Sequence, residues 1–174
     1  MVILITGATH TGKTRLAQKL LEQRHYPYLS QDHLKMGLIR SGYTALTPDD
    51  PDETLTGYLW PVTREIIKTA IENRQNLIVE GCYIPFTWKS DFPEEYLREI
   101  RFICICFSDG YIDTHYADIL RYEGCIEDRA DDGYCTVELL KNENRRFREG
   151  CAAENLPFVL VEDDYERSVG EIAL

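Results

Sequence analysis

Short apolar runs alternate along the chain with stretches of helical periodicity. Val2-Ile3-Leu4-Ile5 is apolar at every position, as a strand covered on both faces requires. Behind it, Leu16, Ala17, Leu20 and Leu21 recur at three- and four-residue spacing, which predicts a helix with one apolar face. Residues 27–30 read as a short second strand, and Gln31-Asp32 open a helix through about Ile39, ended by Ser41-Gly42. Residues 43–56 cluster Thr, Pro and Asp and read as a loop. From about residue 57 to 73, Leu59, Val62, Ile66, Ile67 and Ala70 again keep helical spacing. Leu77-Ile78-Val79-Glu80 predicts a third strand, residues 93–97 a short helix, and residues 100–107 a strongly apolar fourth strand. A helix is expected over about 111–122, then a polar, glycine-containing segment over 123–134. Residues 136–155 predict a long helix, 157–161 a last strand, and the C-terminus a short helix.

Strands alternating with helices imply βαβ units, hence an α/β fold whose parallel sheet carries helices on both faces. At 174 residues the chain reads as one domain, 1–174, with a substantial core. Ligands of such sheets sit at the carboxyl ends of the strands. Three features fall there: residues 7–14 after the first strand, Asp32 after the second and Glu80 at the end of the third.

The first of these is Gly7-Ala8-Thr9-His10-Thr11-Gly12-Lys13-Thr14, a P-loop with two glycines, then Lys and Thr. It lies between a predicted strand and a predicted helix, the context the motif needs. Backbone N–H groups of the loop and the positive end of the helix make an anion cradle for nucleotide phosphates. Lys13 is expected to reach the β- and γ-phosphates, and the Thr14 hydroxyl to hold Mg²⁺. The motif therefore predicts a nucleoside triphosphate site covering residues 7–14.

Composition narrows the rest. A net charge of -11 argues against a nucleic-acid groove, which needs a basic footprint, and so disfavours a polynucleotide kinase. No apolar stretch approaches membrane-spanning length, and no charged leader or cleavage site precedes the first strand, so a cytoplasmic protein is expected. Cysteines 82, 104, 106, 125, 135 and 151 form no C-x-x-C pair. Cys104 and Cys106 read as small buried hydrophobes. Cys125 and Cys135 flank an acidic stretch; plain thiols are the favoured reading over a zinc-stapled lid. An Asn-Lys-x-Asp segment is absent, which argues against a signalling GTPase. So is an apolar strand ending in Asp-Glu, which argues against a mechanical ATPase.

Asp32, at a helix start, has two readings: a base for a substrate hydroxyl, or a first-turn acid that complements the helix dipole. His33 beside it reads as a surface residue before a catalyst. Glu80 ends a buried strand, where an unpaired carboxylate is costly, so a role in holding Mg²⁺ or contacting an acceptor is favoured. Arg121 and Arg129 bracket the polar segment 123–134; a lid carrying them would close over the transferring phosphoryl group. The alternative is solvated arginines pairing with Glu123, Glu127 and Asp128. Arg145 and Arg146 read as surface charges, one of which can face the site.

Taken together, these residues resemble the P-loop small-molecule and nucleoside-monophosphate kinases, and Arg129-Ala130-Asp131-Asp132 is similar to the lid's Arg-x-Asp-Asp of adenylate kinases. The resemblance spans residues 2 to about 161. It implies a three-layer P-loop NTPase fold, a five-stranded parallel sheet in order 2-3-1-4-5, a small lid over about 121–134 and an acceptor-binding helical region over about 32–73. It also implies a Mg²⁺-dependent kinase with ATP as phosphoryl donor, Lys13, Asp32, Arg121 and Arg129 as catalytic residues, and Thr14 with Glu80 toward the metal. Asp32 matches the position where hydroxyl-phosphorylating members, such as chloramphenicol phosphotransferase and zeta-toxin-like kinases, place an aspartate base. The AMP-site segment of adenylate kinases is replaced here by Ser30-Gln31-Asp32-His33-Leu34-Lys35. A small hydroxylated acceptor is therefore preferred over a nucleoside monophosphate or a non-catalytic ATP-binding role. Asp32, Lys35, Arg40, Arg64, Glu80 and Tyr83 are the candidates to hold it, each readable equally as a solvated residue except Asp32 and Glu80.

Overall fold

The computed structural model describes residues 1–122 and 135–170. Five strands, β1 (Val2–Gly7), β2 (Tyr28–Ser30), β3 (Leu77–Glu80), β4 (Ile100–Phe107) and β5 (Val159–Val161), form one sheet in the order β2-β3-β1-β4-β5. Every pairing is parallel. β1 is the centre of the sheet and all six of its residues are buried, which explains its unbroken apolar character.

Side chains alternate between two helical layers. Ile3, Ile5 and Ile78 pack with Leu16, Ala17 and Leu20 of α1 (Lys13–Arg24) and Ile112 and Ile119 of α5 (Asp109–Tyr122). Val169 of α7 (Tyr165–Gly170) closes that layer. Val2, Leu4 and Val79 face the other way, onto Trp60, Ile67 and Ala70 of α3 (Asp52–Glu72) and Phe147 and Cys151 of α6 (Val137–Ala153). Cys104 and Cys106 are fully buried in this second layer, as small hydrophobes. A third apolar cluster joins Leu55, Leu59 and Tyr83 to Leu34 and Leu38 of α2 (Gln31–Arg40). It lies under the region expected to bind an acceptor.

One boundary departs clearly from expectation, and one element was not expected. α3 begins at Asp52, inside the stretch read as a loop. Pro51 stands at its N-cap, and Asp52 and Glu53 complement the helix dipole in its first turn, so residues that read as loop punctuation start a helix. α3 also carries Pro61 in its interior. A 3₁₀ turn at Trp88–Asp91, which no periodicity marked, precedes the short α4 (Glu94–Leu97). Among the described residues no helix is long and apolar enough to cross a membrane.

Candidate active site at the carboxyl ends of β1, β2 and β3

The loop between β1 and α1 closes on Gly12, the N-cap of α1, in a left-handed conformation at φ 76°. Inside it, the Thr11 hydroxyl donates to the Ala8 carbonyl at 2.8 Å. The Lys13 ammonium donates to the same carbonyl at 2.7 Å, folding its side chain across the loop. The first N–H groups of α1 have no intrahelical acceptor and point along the helix axis toward the loop. One loop amide already holds an anion: Thr9 N–H donates to the Glu143 carboxylate of α6 at 3.1 Å.

Thr14 and Glu80 meet. The Thr14 hydroxyl donates to Glu80 Oε2 at 3.3 Å, and Glu80 is 2% exposed. Ser30, the register partner of Glu80 on β2, is also buried, and its hydroxyl has no hydrogen-bond partner in the described structure. A hydroxyl, a carboxylate and a buried, unsatisfied hydroxyl make an oxygen-only donor set. That set suits a hard, hydrated cation such as Mg²⁺, which keeps several waters and takes few protein ligands. Thr14 and Glu80 would hold such an ion, and Ser30 stands within the same strand-end row.

The segment Glu80-Gly81-Cys82-Tyr83 continues from this pair to a second cluster. Tyr83 accepts a hydrogen bond from the Lys35 ammonium at its hydroxyl, at 2.8 Å, and Lys35 pairs with Asp32 at 2.9 Å. Buried Gln31 clamps the segment to α2. Its side-chain oxygen accepts from Tyr83 N–H at 3.0 Å, and its amide nitrogen donates to the Tyr83 carbonyl at 3.3 Å and to Thr63 at 3.4 Å. Only glycine allows so close an approach at residue 81, since a Cβ there would lie 2.5 Å from the Gln31 oxygen. Burial pushes the Cys82 thiol up to about 11, with Lys13 pulling it down and Asp32 and Asp52 pushing it further up. Burial likewise raises the Tyr83 hydroxyl, with Cys82, Asp32 and Asp52 adding to it. Both groups stay protonated at neutral pH. Lys13 and Asp32 act on the Cys82 thiol with opposite sign, so a charge from the start of α1 and one from α2 meet around this short segment. Arg146 of α6 is exposed and pairs with Asp52, at the start of α3, at 3.3 Å.

No family model matches the sequence, and no curated protein matches it. Solved structures do. The chain is similar to a shikimate kinase from Bacteroides thetaiotaomicron at a TM-score of 0.52, with 14% identity over 98% of this chain and 94% of that one. A deoxyadenosine kinase from M. mycoides, solved with dCMP and a flexible dCDP bound, gives a TM-score of 0.54 and 14% identity over 98% and 95% of the two chains. A gluconokinase from Sinorhizobium meliloti 1021 gives 0.51 and 17% identity over 98% and 87%. The strand order and the all-parallel sheet agree with them. The chain has the P-loop kinase fold.

Within the P-loop kinase fold, the residues singled out from sequence divide by place. Lys13, Thr14, Asp32, Lys35, Glu80 and Tyr83 converge at the ends of β1, β2 and β3. Arg40 does not join them: it is exposed in the last turn of α2, roughly 12 Å along the helix from Asp32. Arg64 pairs instead with Glu65 at 2.8 Å and Asp91 at 3.7 Å. His33 is exposed. Arg121 is exposed in the last turn of α5, while Arg129, Cys125 and the rest of the expected lid over about 121–134 lie outside the described residues. Arg145 pairs with Asp109 at 3.3 Å, and Arg146 pairs with Asp52 at the start of α3 at 3.3 Å. Gln31, Asp52, Glu143 and Tyr165 touch the site or its loop without having been marked in advance. Their contacts are long-range, and nothing in their immediate sequence announces them.

Proposed function

We propose that the chain is a Mg²⁺-dependent kinase that moves the γ-phosphoryl group of ATP to a hydroxyl of a small acceptor. One observation carries this reading. The continuous segment Glu80–Tyr83 bonds at its first residue to the P-loop helix, through Thr14, and at its last to Lys35, the partner of Asp32. Donor and acceptor machinery are thereby fixed to each other across four residues. Phosphoryl transfer requires such positioning more than covalent chemistry.

In this reading the P-loop amides and Lys13 hold the triphosphate. Mg²⁺, held by Thr14 and Glu80, would neutralise charge on the phosphates. Asp32 accepts the proton of the attacking hydroxyl, and Lys35 and Tyr83 orient the acceptor beside it. Lys35 now pairs with Asp32, so an acceptor carrying a carboxylate or phosphate has a cation to compete for. Arg146, paired with Asp52 at the start of α3, is a second cation for such an acceptor. Arg121 and Arg129 would cover the transferring group. A nucleoside monophosphate is the second reading, favoured by those same two cations; its acceptor oxygen is already ionised and needs no base.

Purified protein with Mg-ATP should transfer phosphate to at least one member of a panel of hydroxy acids, sugars, nucleosides and nucleoside monophosphates. Asp32→Asn should lower transfer to a hydroxyl acceptor by about 10²–10⁴-fold with ATP affinity kept. Transfer to a monophosphate that survives Asp32→Asn selects the second reading. Nucleotide binding with no transfer to any class leaves a non-catalytic ATP-binding protein.

A further inference from the structure

The P-loop is held from behind by the last helix. Tyr165, the first residue of α7, donates its hydroxyl hydrogen to the Gly12 carbonyl at 3.0 Å. The same carbonyl accepts the helical N–H of Leu16 at 3.0 Å, so both of its lone pairs are engaged. The tyrosine ring stands edge-on to Phe107 at 6.5 Å between centres, and the Arg15 guanidinium lies 5.6 Å from its centre. Glu166, next along α7, pairs with Arg15 at 2.6 Å and Lys19 at 3.2 Å. Burial raises the Tyr165 hydroxyl above the ordinary tyrosine range, so its proton stays in place at neutral pH.

This contact bears on phosphate binding through peptide geometry. In a planar trans peptide the C=O and N–H point in opposite directions. A Gly12 carbonyl held on the outside of the turn therefore aims the Lys13 N–H into it, where the P-loop receives an anion. The hydrogen bond on the carbonyl also polarises the amide and makes its N–H a stronger donor. Gly12 needs this restraint, because glycine is the residue whose flanking peptides rotate most easily. No side chain at residue 12 can supply it, since a Cβ would lie 2.4 Å from the Tyr165 oxygen.

We infer that Tyr165 is a positioning residue for polyphosphate binding, acting through the Gly12–Lys13 peptide and not on the nucleotide itself. The inference rests on the reading of residues 7–14 as a nucleotide site. The test measures ATP and inorganic tripolyphosphate binding by calorimetry for wild type, Tyr165→Phe and Lys13→Ala. Phenylalanine keeps the ring against Phe107 and Arg15, so the fold should survive. Tyr165→Phe should weaken both ligands by the same factor, about fivefold, with an unchanged melting temperature. The apo Lys13 amide proton should move upfield in its NMR spectrum, and the KM for ATP should rise with kcat kept. Unchanged affinity overturns the inference, as does a loss for ATP without one for tripolyphosphate, which would mean contact with the nucleoside. A loss that merely follows a lowered melting temperature also overturns it. Wild type that binds neither ligand, and so matches Lys13→Ala, overturns the nucleotide reading itself.

Discussion

Glu143 is the most informative single perturbation at this site, because it places a negative charge where the proposed triphosphate would bring another. Its carboxylate accepts from Thr9 N–H at 3.1 Å, inside the loop proposed to cradle phosphates. In Glu143→Gln the side-chain oxygen can still accept from Thr9, so the loop keeps its shape and only the charge is lost. Two unit charges about 5 Å apart interact by roughly 3 kcal/mol at an effective dielectric of 20. Glu143 is half-buried, and solvent and salt reduce that figure; the charge-assisted bond it gives up in the empty loop adds to the gain. A net effect of about 1.4 kcal/mol follows, a tenfold tighter Kd for ATP. Calorimetric titration of ATP into wild type and Glu143→Gln at low and high ionic strength measures it. The advantage of the variant should shrink as salt rises, because it is electrostatic. Affinity for ATP that is unchanged or weaker in Glu143→Gln refutes the reasoning, and shows that the carboxylate supports the loop instead of opposing the ligand.

Other substitutions test the frame around the site. Gln31→Leu leaves the Tyr83 N–H and carbonyl buried without their partner, and should cost about 2–3 kcal/mol in urea unfolding while loosening the acceptor side. A variant as stable as wild type would mean that the clamp is dispensable. The Cys82 thiol, raised from 9.0 to about 11, favours the neutral form in the folded state. The stability it contributes is present below pH 9 and lost as pH climbs through about 11, so Cys82→Ala should flatten part of the decline in unfolding midpoint over that window. Iodoacetamide at pH 8 should label Cys82 more slowly in native than in urea-unfolded protein, as read by peptide mass spectrometry.

What the chain announced in advance follows from how far each signal travels. The P-loop was legible because strand, glycines, lysine and helix are contiguous, and β1 and α1 form where the apolar pattern puts them. Asp32 and Glu80 were legible because each ends or follows a short apolar strand, so topology alone carries them to the same edge. Lys35 and Tyr83 lie within a few residues of those anchors and came with them. Arg40 and Arg64 were drawn from the helical region expected to bind an acceptor, yet one stands at the far end of α2 and the other pairs with Asp91. The residues that escaped notice are tied to the site by long loops of chain. Gln31 to Tyr83 spans 52 residues, Glu143 to Thr9 spans 134, and Tyr165 to Gly12 spans 153. A hydrogen bond across such a span leaves no local periodicity, since the helical partner, Gln31, Glu143 or Tyr165, is by itself an ordinary helix residue. These long-range contacts nonetheless end on the P-loop backbone and on the Glu80–Tyr83 segment. The candidate site residues are thus written locally, whereas Gln31, Glu143 and Tyr165 reach them only through the packing of α2, α6 and α7.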